Sequence, residues 1–228
     1  MALRKNDTTK QVQPADPGVL DSLVNMLFDV GLDGTGPFIT AAELGQKHLV
    51  ATGSTEKAVA RVARRALVKG GTGGFVTGLG GFITLPVALP ANVATFYLNA
   101  TRMVGAIAHL RGYDVDHPAV RSAILLCLVG SDADEVLRKA NIANPKGMAT
   151  NAALSGLPPA ALMLVNKAIG FKLVQGLGEK TFASLGKAVP LGGGVIGGAL
   201  DTFMMKVIAS HAMKEFPQVE IVEGRVTP

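Results

Sequence analysis

The sequence has little of several residue types, and each shortage excludes a class of protein. It contains one cysteine, Cys127, so a disulfide-braced extracellular scaffold is excluded. Because Cys127 lies in an apolar stretch, we expect an inert thiol in the core rather than a nucleophile. Tryptophan is absent and only two tyrosines occur, so nothing in the composition supports a nucleic-acid partner. Charged residues make up 17% of the chain, against about 25% in an ordinary soluble domain.

Signals for catalysis and for cofactors are equally scarce. Four scattered histidines form no metal-ligand spacing, and no Gly-x-Ser-x-Gly elbow is present. Residues 192–197 fit the G-x-G-x-x-G pattern, but no strand pattern precedes them, as a dinucleotide site requires. We therefore expect no metal, no cofactor and no catalytic residue, and the sequence favours a non-enzyme over an enzyme.

Apolar residues and glycine, in contrast, are abundant. Apolar residues make up 48% of the chain, and 28 residues are glycine. Both types concentrate in the uncharged runs 70–101, 147–166 and 188–200. Prolines divide the longest run into pieces of about 15 residues, too short for a hydrocarbon core of about 30 Å. Glycines at 70, 74 and 78 allow close approach of helices. This texture favours closely packed buried helices over a re-entrant hairpin, and both over a spanning helix.

The periodicity of the apolar residues predicts an all-α fold, a single compact multi-helix domain with Gly-rich, closely packed central helices. We expect a flexible tail over 1–18, a helical domain over 19–217, and a tail over 218–228 that is loose or adds a short strand. The helices are predicted over 19–32, 40–52, 55–69, 90–111, 118–129, from 131 onward, 159–170, 172–188, and from about 198 to a point before Pro217.

One predicted helix, 90–111, is apolar apart from a single polar line, which we call the polar lane. Its members share one narrow helical face at spacings of three, four and seven: Asn92, Thr95, Asn99, Arg102 and His109. Such a line is a solvent-facing stripe, a set of polar groups satisfied by neighbouring helices, or the wall of a ligand cavity, in which Arg102 would meet an anionic head group. Asp201, in an otherwise apolar helix, is a candidate partner for Arg102.

The predicted helix 55–69 has a second polar surface, the basic face. It consists of Lys57, Arg61, Arg64, Arg65 and Lys69. An ordinary solvated face and a contact with anionic lipid both fit this pattern, and each near-surface basic residue contributes about 1 kcal/mol in the second case. The formal net charge of +5 agrees with either.

Three stretches in order resemble the EcsC family: 78–90, with its Leu-Pro-x-x-Leu-Pro segment; 107–114, with Pro118 and the apolar run that follow; and 189–203. The resemblance covers roughly residues 50–217. It implies an all-α bacterial protein of a family named from a gene beside an ABC transporter linked to secretion and membrane processes. The family often carries an acidic residue within Leu-Pro-x-x-Leu-Pro, where this chain has Ala88. It supplies no established catalytic residues.

These observations predict a non-catalytic protein that associates with membranes or binds a lipid-like ligand. The expected partners are an anionic lipid or membrane surface, a hydrophobic ligand, and a second copy in a homo-oligomer. The single cysteine and the lack of an apolar stretch after the first charged residues indicate the cytoplasm, with peripheral attachment to the inner face of the plasma membrane. A self-associating scaffold and an unrecognised hydrolase are the alternatives.

Overall fold

The structure, a computed structural model, describes residues 17–71, 91–139, 142, 154–185, 193–222 and 225–227. In this part of the chain the helices are α1 (Pro17–Met26), α2 (Ala41–Thr52), α3 (Thr55–Gly71), α4 (Ala91–Leu110), α5 (Pro118–Val129), α6 (Ala133–Lys139), α7 (Pro159–Leu185) and α8 (Gly193–Glu215). A π-helical turn (Leu27–Leu32) extends α1, and a 3-10 turn (Gly130–Asp132) precedes α6. The strands β1 (Glu220–Val222) and β2 (Arg225–Thr227) form an antiparallel hairpin.

Local side-chain signals set several of these boundaries. Before α2, the Thr40 side chain accepts a hydrogen bond from the Glu43 amide, and the Glu43 carboxylate accepts one from the Thr40 amide. This capping box satisfies two amide donors that a helix start leaves free. Pro118 opens α5, where its missing N–H costs nothing, and Gly112 turns the chain after α4 at a φ of 92°.

Helix α4 lies at the centre of the packing. It contacts α2, α3, α5, α8 and the π-helical turn, and its side chains from 96 to 108 are buried. Helix α5 adds a buried apolar segment over residues 123–128, which includes Cys127. Burial raises the pKa of the Cys127 thiol and the negative charge of Glu215 raises it further, so the thiol stays protonated as expected.

Glycine permits close approach to α4 at two points. A Cβ on Gly105 would lie 2.5 Å from Leu32 Cδ2 and 2.9 Å from Ala41 Cβ, so only glycine fits against the start of α2. Gly31 meets the Thr101 side chain in the same way. The glycines that the sequence singled out for such packing, at 74 and 78, lie outside the described residues.

The predicted all-α class is confirmed, and the differences are local. The helix expected over 19–32 is α-helical only to Met26 and continues as the π-helical turn. The helix expected to open at Pro158 and Pro159, with 172–188 continuing helical, is present as the single helix α7, which ends at Leu185. For the tail 218–228 the sequence left open a loose course or a short strand, and described residues within it form the paired strands β1 and β2.

The described residues also bear on the membrane question. No helix among them has the length and apolar character needed to cross a bilayer. Residues 1–16 of the predicted N-terminal tail lie outside the described residues. Residues 72–90 of the longest uncharged run also lie outside them. That this run forms closely packed buried helices therefore stays a prediction.

Candidate functional site

A polar cavity of about 160 Å³ lies where α2, α3 and α4 meet. Its walls combine apolar side chains with four polar ones. The lining residues are Phe38, Leu44, His48, Val62, Arg65, Ala66, Asn99, Arg102 and Met103. The cavity therefore brings two members of the polar lane, Asn99 and Arg102, together with one member of the basic face, Arg65.

Arg102 places a positive charge at the inner wall of the cavity. The residue is 7% exposed, and its guanidinium donates from Nη1 to the Val30 carbonyl at 3.1 Å and from Nη2 to the Ile39 carbonyl at 2.8 Å. Its Cζ lies 5.2 Å from the centre of the Phe38 ring, which adds a cation–π contact. Burial lowers the pKa of Arg102 from its ordinary value, but an arginine still remains charged at neutral pH.

The charge of Arg102 has no acidic counterpart nearby. Among the described residues no carboxylate lies within ion-pair distance of its guanidinium, including that of Asp201, the partner that the sequence suggested. Asp201 is half-buried on α8, where burial raises the pKa of its carboxyl. A buried guanidinium held only by neutral carbonyls keeps its full positive field for whatever enters the cavity.

Asn99 and His48 complete the buried polar wall. Asn99 is 8% exposed, and its Nδ2 donates to the Ala66 carbonyl of α3 at 3.0 Å, which ties α4 to α3. His48 is 3% exposed and comes from α2. Arg65 is exposed, so its side chain stands at the mouth of the cavity.

This arrangement suits an anion better than any other ligand. Two guanidinium groups and an amide offer donors from two helices, α3 and α4, and guanidinium binds carboxylate or phosphate oxygens in pairs. No three His, Cys, Asp or Glu side chains gather into a metal site within the described part of the chain. The lining residues include neither serine nor cysteine, so the cavity carries no hydroxyl or thiol nucleophile.

The remaining members of the polar lane lie elsewhere. Thr95 and His109 are half-buried on α4 but do not line the cavity, and the side chain of Asn92 lies outside what the structure describes. The lane is therefore divided: its middle faces the cavity and its ends do not.

The basic face is exposed along α3. Lys57, Arg64 and Arg65 are exposed and Arg61 is half-buried, while the side chain of Lys69 is outside the described set. None of the four described side chains forms an ion pair with a described carboxylate.

Sequence reasoning missed two contributors to the cavity, His48 and Phe38. His48 counted as one of four scattered histidines, because its neighbours Asn99 and Arg102 are about fifty residues away in the chain. No local spacing signals such a contact. The Thr40 and Glu43 pair, which forms the capping box, is a local sequence signal that fixes the backbone just before α2.

The fold and the cavity together describe an all-α protein built around a central helix, with a cavity beside it whose lining includes two arginines. The chain belongs to the EcsC protein family, whose model matches residues 43–218, and this confirms the resemblance seen in the sequence. No curated protein and no solved structure matches the chain.

Proposed function

We propose that this protein is a non-catalytic binder of an anionic lipid-like molecule, and that the cavity between α2, α3 and α4 receives its head group. The observation that carries the proposal is Arg102, a buried guanidinium without a carboxylate partner among the described residues. Arg65 at the cavity mouth supplies a second positive charge, and His48 and Asn99 line the interior.

The volume of the cavity limits what it holds. About 160 Å³ accommodates a phosphate or carboxylate head group but not an acyl chain as well. The apolar part of the ligand therefore remains outside, in a membrane or along the protein surface. Anionic lipids are available at the inner face of the plasma membrane, and we place the protein peripherally there.

Calorimetric titration with dihexanoyl phosphatidic acid, a short-chain phospholipid used below its micellar concentration, tests the proposal. Dihexanoyl phosphatidylcholine and inorganic phosphate serve as comparison ligands. We expect binding of the phosphatidic acid, and an Arg65→Gln variant that binds roughly tenfold more weakly, since a charge-assisted hydrogen bond contributes about 1.5–3 kcal/mol.

Arg64→Gln is the matched control, because Arg64 is exposed, adjacent and equally charged but does not line the cavity. We expect its affinity to equal that of the unmodified protein. Equal losses in both variants would mean that the ligand meets only the general surface charge. Binding of phosphate as tight as that of phosphatidic acid would remove the lipid from the proposal.

A further inference from the structure

Helix α7 exposes a stripe of large apolar side chains, although its opposite side is packed. Met163 is 73% exposed, Leu164 63% and Phe171 40%. With the exposed Lys167, Leu164 and Phe171 lie at spacings of three, four and seven, and Met163 lies four residues before Lys167, so all four share one face of the helix. We call these four residues the α7 stripe. Burial of Leu162, Val165 and Ile169 on the other side shows that the helix is fully seated in the fold.

The chain around the α7 stripe is basic. No aspartate or glutamate occurs from residue 136 to residue 178, a span that contains Arg138, Lys139, Lys146, Lys167 and Lys172. Lys172 and Lys139 are paired with Glu135, at 2.7 and 2.8 Å, whereas Lys167 forms no ion pair with a described carboxylate. The stripe therefore combines apolar groups with uncompensated positive charge.

Two shallow apolar grooves run along the edges of the α7 stripe. One, of about 290 Å³, lies between Met163 and Phe28 of the π-helical turn. The other, of about 300 Å³, lies between Leu164, Phe171 and Leu20 of α1. Apolar side chains beside apolar grooves, with lysine among them, match the boundary between acyl chains and phosphates, where lysine extends its ammonium toward the head groups.

We propose that the α7 stripe is the surface through which the protein enters an anionic bilayer. Met163, Leu164 and Phe171 lie below the level of the phosphates, and Lys167 reaches them. A second copy of the chain is a poorer occupant, because a symmetric contact through this face would bring the two Lys167 ammonium groups together. This inference takes from the proposed function only the nature of the partner, an anionic lipid. It does not require a ligand in the cavity.

The α7 stripe is a different surface from the basic face on α3. Helix α3 packs on α4, α4 on α5, and α5 on α7, so the basic face and the α7 stripe lie at opposite ends of this row. The two surfaces are therefore separate candidates for contact with a bilayer. Val68 is an exposed apolar residue near the basic face, at 62%, and offers a reporter position there.

The absence of tryptophan makes the orientation directly measurable. Single-tryptophan variants Leu164→Trp and Val68→Trp are mixed with vesicles of phosphatidylglycerol and phosphatidylcholine in which a part of the lipid carries bromine on its acyl chains. We expect the indole of the Leu164→Trp variant to shift its emission to the blue and to be quenched by bromine. The indole of the Val68→Trp variant should keep its aqueous emission.

Sedimentation of the unmodified protein with the same vesicles separates the possible failures. Sedimentation together with quenching at position 68 but not at 164 would overturn the α7 assignment and leave lipid binding intact. Failure to sediment would overturn membrane attachment, whereas binding of phosphatidic acid in the calorimeter would still support the cavity. Self-association of the protein through α7, seen as loss of vesicle binding with rising protein concentration, would also overturn the assignment.

A pair of side-chain variants checks the same point without a reporter. Leu164→Ser combined with Phe171→Ser should lower partition onto the vesicles by roughly tenfold or more, because two inserting side chains are lost. Val50→Ser is the control, since Val50 is 76% exposed but lies on α2. Equal partition of all three proteins would overturn the proposal.

Discussion

Arg102 illustrates how one residue joins the architecture to the site. Its two hydrogen bonds hold the Val30 carbonyl in the π-helical turn and the Ile39 carbonyl before α2, so it fixes the segment that carries Phe38. The same guanidinium forms the inner wall of the cavity. A charge at this depth is costly without partners, and here neutral carbonyls and an aromatic face supply them.

Replacing Arg102 with methionine should therefore destabilise the protein. Arg102→Met keeps an unbranched apolar stem but leaves two carbonyls without their donor, and we expect a loss of about 2–3 kcal/mol in the free energy of unfolding. Arg138→Met is the control, because Arg138 is exposed on α6 and its loss should stay within about 0.5 kcal/mol. Urea denaturation compares the three proteins. A stability of Arg102→Met equal to that of the control would show that the two hydrogen bonds contribute nothing.

At the scale of the elements, boundaries with a local cause could be predicted and those with a tertiary cause could not. Pro118 and the Thr40 cap act within one turn of chain, and the predicted starts of α5 and α2 agree with the structure. The change to π geometry after Met26 accompanies the contact of Gly31 with Thr101, seventy residues later. Nothing in the local sequence encodes that contact.

The junction between α6 and α7 gives a prediction about acid. Glu135 accepts hydrogen bonds from Lys139 and from Lys172 of α7, and these hold its pKa at about 2, below the ordinary value of 4.5. A lowered pKa in the folded state stabilises the fold above the unfolded value, so this contribution is lost as the pH falls from about 4.5 toward 2.

Glu135→Gln should accordingly flatten the loss of stability between pH 5 and pH 2. The measurement is the urea midpoint as a function of pH for the unmodified protein, Glu135→Gln and Asp134→Asn. Asp134 is the matched neighbour, since it is exposed and forms no ion pair with a described side chain. If the urea midpoint of Glu135→Gln fell between pH 5 and pH 2 as much as that of the unmodified protein, the pH dependence would come from other groups.

At the scale of the whole molecule, the cavity depends on three segments that meet only in the folded chain. The spacing of Asn99 and Arg102 predicts that they share a helical face, and in the structure both line one cavity. Spacing could not show that Arg65 and His48 close the same cavity from α3 and α2. The α7 stripe could not be predicted from the pattern of apolar residues either, because residue type alone does not distinguish an apolar side chain that faces solvent from one that faces the core.

Salt separates the two ways in which the whole molecule could meet a membrane. Raising the ionic strength from 0.1 to 1 M shortens the screening length from about 10 Å to about 3 Å, which weakens contacts made by charge alone but not the burial of apolar side chains. Attachment through the basic face would then disappear. Attachment through the α7 stripe, where three large apolar residues accompany Lys167, should weaken but persist. Co-sedimentation with phosphatidylglycerol vesicles at both ionic strengths measures the difference. Complete release at 1 M would assign attachment to charge, and the Leu164→Ser and Phe171→Ser changes should abolish whatever binding remains at 1 M.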